Sequence, residues 1–372
     1  LSSARSRRLI FARFAVAALA STCAALAALW AHRAWDGPRS SAAVRVLADR
    51  DPEPDWGDHR VLTPDPVAGF RPKRSVEIEF PMAALDDSAR LKIVKRRDRH
   101  GFLRADALPE VLQGPRIVAL GDSHLDGVVP MPDNLGALLE AALRERPGGE
   151  HWVLNAGCGF YSLFQYALRA RTLVARYRPQ VVIAVVFCGN DFLELDNQRF
   201  PHLDDELRER PPNPTPPPER TSERKAALDL FVEAPFWQGL NQALYLHQEP
   251  ERVPVIERKA GRAVDLLEAT VRESGAQLLW VLLPSFDLVF PDRIASASPL
   301  AGEVVGSGVQ QALYERFRAD LQARGARVVD MLPIFRADGS LGIYAIDFHI
   351  FVRGHRLVAD AVLPVLRDLL AK

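Results

Sequence analysis

Four short polar clusters in this chain hold residue types that could act together: Gly121-Asp122-Ser123-His124, Asn155-Ala156-Gly157-Cys158-Gly159, Gly189-Asn190-Asp191 and Asp347-Phe348-His349. A serine hydroxyl is a poor nucleophile near neutral pH and needs an adjacent base. His349 is the candidate base, and Asp347 is the candidate to hold its tautomer and stabilise the imidazolium that forms. A tetrahedral intermediate needs donors aimed at its oxyanion. The Ser123 N–H, a backbone N–H from loop 157–160 and the Asn190 side-chain amide are the candidates. Together they would attack an acyl carbonyl.

Each cluster alone has a plainer reading. Ser123 could simply start a helix, and Asn-Asp after a strand often caps one. Asp191 reads as such a cap, Asp122 as the brace of its own turn, and His355 as structural. His124 adjoins the nucleophile, but its side chain is expected to diverge from it. Cys158 and Cys188 read as small buried residues and free thiols, because a bond between them would pull the 157–160 loop off the oxyanion.

The elements that must position these groups form a regular series from Arg116. Strand-like runs "RIVAL", "HWVLN", "QVVIAVVF", "QLLWVLL" and "RVVD" alternate with helix-spaced "NLGALLEAALRER", "LFQYALRARTLVARY", "ERKAGRAVDLLEATVRES" and "QALYERFRADLQAR", with a final helix from about Gly354. Strands that are apolar throughout indicate a parallel sheet buried on both faces. The expected fold is therefore α/β, a doubly wound sheet with helices on each side. In such sheets the site lies at the carboxyl ends of the strands, where all of the clusters fall. Residues 61–114 alternate as in "VEIEF" and predict a small β-rich lead-in. Residues 32–60 read as a polar tether. The proline-rich stretch 209–225 reads as a surface insertion, leading to a helical lid over 226–247.

In order and placement the clusters resemble the blocks of the SGNH (GDSL-like) hydrolase superfamily, over roughly residues 115–370. The segments "GDSH…GVVPMPDNLGALLE", "GHRLVADAVLPVL" and "TPDPVAGFRPKRS" are similar to its membrane-anchored bacterial branch. The resemblance implies a three-layer, flavodoxin-like sheet over 115–372. It also implies Ser123 as block I serine, Asn190 as block III asparagine, and Asp347 and His349 as the block V pair. The family's block II glycine falls at Phe160, one residue after Gly159, so the oxyanion donor could be the N–H of either, with Gly159 the candidate carried forward. A bulky ring at Phe160 would narrow the pocket. Phe351 stands where an asparagine is common, and one residue separates Asp347 from His349 where many members have two. The expected function is a serine esterase working through an acyl-enzyme. The same residues would serve an O-acyltransferase moving acetyl to a cell-envelope glycan. A non-catalytic glycan-binding or assembly module is the reading that the intact Ser123, Asn190, Asp347 and His349 oppose.

The amino terminus predicts where this chemistry happens. Arg5, Arg7, Arg8 and Arg13 precede an apolar run from Phe14 to Ala31. A membrane helix needs roughly 17 to 25 such residues, and the arginines should stay in the cytoplasm. Residues 1–31 are therefore expected to be a cytoplasmic tail and single-pass anchor, with the catalytic domain on the periplasmic side of the cytoplasmic membrane. A cleaved signal peptide is the rival, although the run is long for one. The formal net charge of +0 gives no bulk basic field and so no expectation of nucleic-acid binding. The nine histidines and three cysteines show no ligand spacing. No metal or other cofactor is expected; the partners are the acyl-ester substrate and the membrane.

Overall fold

The computed structural model describes residues 43–46, 62–87, 89–145, 150–213 and 237–371. The chain divides into Leu1–Ala42, which lies outside those residues, and the unit Ala43–Lys372. The expected anchor, most of the tether, and residues 214–236 after the start of the proline-rich stretch also lie outside them. Among the described residues no helix is long and apolar enough to cross a membrane.

The lead-in is all β. Strand β1 (Ala43–Val46), inside the stretch read as a tether, pairs antiparallel with β4 (Val76–Met82), which pairs with β5 (Leu91–Arg96). Strands β2 (Leu62–Asp65) and β3 (Gly69–Pro72) form a hairpin beside them. Val76, Ile78 and Met82 are buried and the residues between them are not, as expected of a sheet covered on one face.

The larger part begins with β6 (Arg116–Gly121), α1 (Ser123–Asp126) and α2 (Leu135–Arg144). β7 (Trp152–Asn155), α3 (Leu163–Tyr177) and β8 (Val181–Phe187) follow. A two-residue ladder joins β9 (His202–Leu203) to β10 (Glu209–Arg210), so the proline-rich stretch opens with a strand. Helices α4 (Trp237–Gln248) and α5 (Val253–Glu273) lead to β11 (Gln277–Leu283). Three short helices, α6 (Phe286–Val289), α7 (Pro291–Ala295) and α8 (Pro299–Gly306), precede α9 (Val309–Ala323). Strand β12 (Arg327–Asp330), α10 (Leu332–Asp338) and α11 (Val352–Leu370) complete the chain.

β12, β11, β8, β6 and β7 make one five-stranded parallel sheet in that order. Numbered by their own succession and read from the β7 edge, this is 2-1-3-4-5, the flavodoxin-like order. Every residue of central β8 is buried, because helices cover both faces. α3 and α5 pack together on one side, with α9 beside β12; α2 and α11 pack together on the other. The connections from β6 and β8 leave on opposite faces, so a crevice opens between their carboxyl ends. Ser123 follows one of these strands and Asn190 the other. The helix read as beginning a lid is instead built into the body: α4 packs on α9, α8 and α6, and its Leu240, Ala243, Leu244 and Leu246 belong to the main core. Apolar positions that a lid could present to a substrate are spent there on packing.

Candidate active site

β6 ends at Gly121, where a Cβ would lie 2.6 Å from Leu125 Cβ and 3.1 Å from Val185 O. Only glycine lets the chain turn this sharply into α1. Asp122 caps that helix, its Oδ1 accepting the His124 N–H at 2.8 Å, which is the bracing role expected of it. Ser123 does start a helix, and it also faces the candidate base: Ser123 Oγ is 2.9 Å from His349 Nε2. His349 Nδ1 in turn lies 3.0 Å from Asp347 Oδ2. The N–H is not aligned on that oxygen. The other oxygen, Asp347 Oδ1, takes the His349 backbone N–H at 3.3 Å and turns the carboxylate back on its own loop. Catalytic hydrogen bonds are often off line before substrate binds.

The single residue between acid and histidine works because Phe348 has φ 63°, in the left-handed region. That is a strained conformation for a bulky side chain, and it folds Asp347 and His349 towards each other. The ring is held by packing edge-on against Phe286, with centroids 4.7 Å apart. Ala345 N–H bonds His349 O at 2.8 Å, closing the turn.

The 157–160 loop sits directly on α1: a Cβ at Gly157 would lie 2.6 Å from Asp126 N. Gly157 N–H donates to Asn155 Oδ1 and Cys158 N–H to Gly121 O, so neither can serve an oxyanion. Gly159 lies close to the serine, a Cβ there falling 3.8 Å from Ser123 Cβ. Among the described residues, neither Gly159 N–H nor Ser123 N–H has a protein acceptor. Phe160 has φ 66° and is 46 % exposed, so its ring faces solvent instead of filling the interior. Among the described residues, Asn190 Oδ1 is buried with no hydrogen-bond partner, and no group takes the amide NH2. The buried, unpaired atom is the acceptor oxygen; the NH2 of this half-buried side chain is free to donate to a ligand.

Two expectations are corrected. Asp191 does not cap the helix after it: its Oδ2 accepts the Phe187 N–H at 2.9 Å and the Tyr166 hydroxyl at 2.8 Å, tying the turn back to the end of β8. The following 3-10 helix, Leu193–Asp196, has no side-chain cap. His124 does not diverge from the site but lies under it, 4.7 Å from the His349 ring. Burial raises the carboxyl of Asp122 to about 6, and it raises Asp191 well above its usual range, with the charge of Asp122 adding to the shift. Cys158 and Cys188 are free, buried thiols, and burial pushes Cys158 up to about 12. His355 is structural, its Nδ1 accepting Leu135 N–H.

Several groups that shape the site carry no local sequence signal. Gln242 of α4 donates to Cys188 O at 3.0 Å and accepts the N–H groups of Phe192 and Leu193, fixing both sides of Asn190. Arg97 of the lead-in binds Asp126 of α1 and Gly157 O, 3.1 Å away. Lys95 adds a 2.6 Å contact to Asp126, and Tyr161 OH reaches Phe70 O at 2.7 Å. Burial lowers the Lys95 ammonium, against the pull of Asp126. Phe351 is explained as well: it packs with Met82, Ile93, Val129 and Ala345 in a second core that seats the lead-in on the start of α11. A concavity of about 500 Å³ beside that seam is lined by Asp86, Leu91, Phe351 and Arg353 and contains none of the candidate catalytic residues. Among the described residues, no cluster of histidine, cysteine or acidic groups could hold a metal ion.

No family model matches the chain, and no curated protein matches it. Solved structures do. An alpha/beta hydrolase enzyme from the metagenome of Lake Arreo, Spain, is 18% identical, with 70% of this chain and 98% of that one covered and a TM-score of 0.38. The psychrotrophic esterase EstA from Pseudoalteromonas sp. is 13% identical, with 70% and 100% covered and a TM-score of 0.35. A GDSL-like lipase from Bacteroides thetaiotaomicron VPI-5482 is 11% identical, with 71% and 93% covered and a TM-score of 0.36.

Proposed function

We propose that this chain is a serine esterase with Ser123 as nucleophile, His349 as base and Asp347 as its orienting acid. The observation that carries the reading is the chain of contacts from Ser123 Oγ to His349 Nε2, 2.9 Å, and from His349 Nδ1 to Asp347 Oδ2, 3.0 Å. Ser123 Oγ attacks the acyl carbon while its proton passes to His349 Nε2. The negative carboxylate beside Nδ1 favours the imidazolium. The carbonyl oxygen, now an oxyanion, accepts from Ser123 N–H, Gly159 N–H and the Asn190 amide. Collapse expels the alcohol, which takes the proton from His349, and leaves an ester on Ser123. Water then gives a proton to His349 and its oxygen to the acyl carbon. A second collapse returns the proton to Ser123 and releases the acid.

The reading includes location. The arginine-led apolar run Phe14–Ala31 supports a single-pass tether, with the domain outside the cytoplasmic membrane. A reporter fused after Lys372 that works only once exported should be active, and one that works only in the cytoplasm should not.

The direct test of function is turnover of a short aryl ester. Ser123→Ala and His349→Ala should each lose about a thousandfold or more while staying folded, because members of a triad act as a unit. Activity near wild type in either variant refutes the assignment. If an acetylated envelope glycan is the product and no acetate is released, the same serine is serving a transferase.

A further inference from the structure

His124 takes no part in the steps above, yet it is 3 % exposed and sits against the groups that do. Its ring stacks on Phe187, with centroids 3.4 Å apart and planes 18° apart. The same ring lies 4.7 Å from that of His349, tilted by 34°. Its Nδ1 accepts the backbone N–H of Ile350, the residue after the base, at 3.2 Å. That bond requires an unprotonated Nδ1, so the neutral ring carries its proton on Nε2. Burial first, then the neighbouring His349 and His355, hold His124 well below the usual histidine range. The nearby acid Asp122 bonds its backbone N–H. A neutral ring at this place therefore persists where a catalytic base must itself be neutral.

We infer that His124 is a positioning residue for the base. Through its ring contact and its bond to Ile350 N–H, it holds the His349 imidazole at attack distance from Ser123. The inference rests on the reading of Ser123 and His349 given above. The position demands two properties at once: a flat ring between Phe187 and His349, and an acceptor on the ring edge for Ile350. Phenylalanine supplies the ring alone, asparagine an acceptor alone, and alanine neither.

That separation gives the test. His124→Ala, His124→Phe and His124→Asn are compared on a short aryl ester, with active serines counted by a fluorophosphonate burst. Counting competent sites removes any loss through poor folding. The turnover number per titrated serine should fall about ten- to a hundredfold in His124→Ala, with KM little changed, since small misplacement of a reacting group costs that much. His124→Phe and His124→Asn should each recover part of the loss. Wild-type turnover per titrated serine in the Ala and Phe variants overturns the inference. So does a loss confined to KM, or a failure of both Phe and Asn to exceed Ala. If Ser123→Ala itself retained activity, the underlying reading would fail independently of His124.

Discussion

At the scale of single residues, the site consists of ordinary groups in unusual surroundings. Ser123 comes within 2.9 Å of His349 across a turn in which a Cβ at Gly121 would lie 2.6 Å from Leu125 Cβ. Asn190 is held by neighbours that bond its loop and leave its amide unused. Asn190→Ala should therefore slow turnover, by about 3 kcal/mol of transition-state stabilisation, with little change in KM. It should remain reactive to a fluorophosphonate. Unchanged turnover would reduce Asn190 to a turn residue. Ser123 and Asn190 were legible as candidates in the sequence because chemistry restricts their types and each follows a strand. Gln242 and Arg97 were not, because they reach the site from distant segments and a buried glutamine or arginine has no local signature. Asp191 was misread for a related reason: the sequence shows which residues follow a strand, not which way a carboxylate turns.

At the scale of elements, the strands were plain because unbroken apolar runs such as Val181–Phe187 admit few alternatives. The short helices between Phe286 and Gly306 were not. Pro291 and Pro299 each open one, and none is long enough to show a helical period. One of them carries a testable cost. Asp287 in α6 is buried, and burial raises its carboxyl from 3.8 to about 7. Below the lower value the group is neutral in both folded and unfolded chains, and it changes nothing. As pH rises between the two values the unfolded chain ionises first, so stability is lost; above about 7 the loss is constant. Asp287→Asn removes this loss. In denaturant titrations it should match the parent near about pH 4 and exceed it near about pH 8, by on the order of a few kcal/mol. A variant less stable than the parent at the higher pH would contradict the buried, raised carboxyl.

At the scale of the whole molecule, the lead-in helps support the candidate site. The sequence predicts β structure in it, and four strands lie over Leu62–Arg96; what the sequence could not show is where they dock. Arg97 joins α1 to the 157–160 loop, and Phe351 seats the lead-in against α11, the helix that follows His349. Arg97→Ala removes a donor from Gly157 O and leaves the half-buried Asp126 with Lys95. It should cost about 1.5–3 kcal/mol in unfolding free energy and also lower turnover per titrated serine, since it loosens α1 and the 157–160 loop together. Full turnover would mean that the lead-in is only a neighbour. The central claim, that Ser123 is activated by His349, is tested most directly by intact mass and peptide mapping of the chain after a fluorophosphonate. The account predicts one adduct, on Ser123, that is absent in Ser123→Ala and greatly slowed in His349→Ala. No adduct on the wild-type chain, or an adduct on another residue, would contradict it.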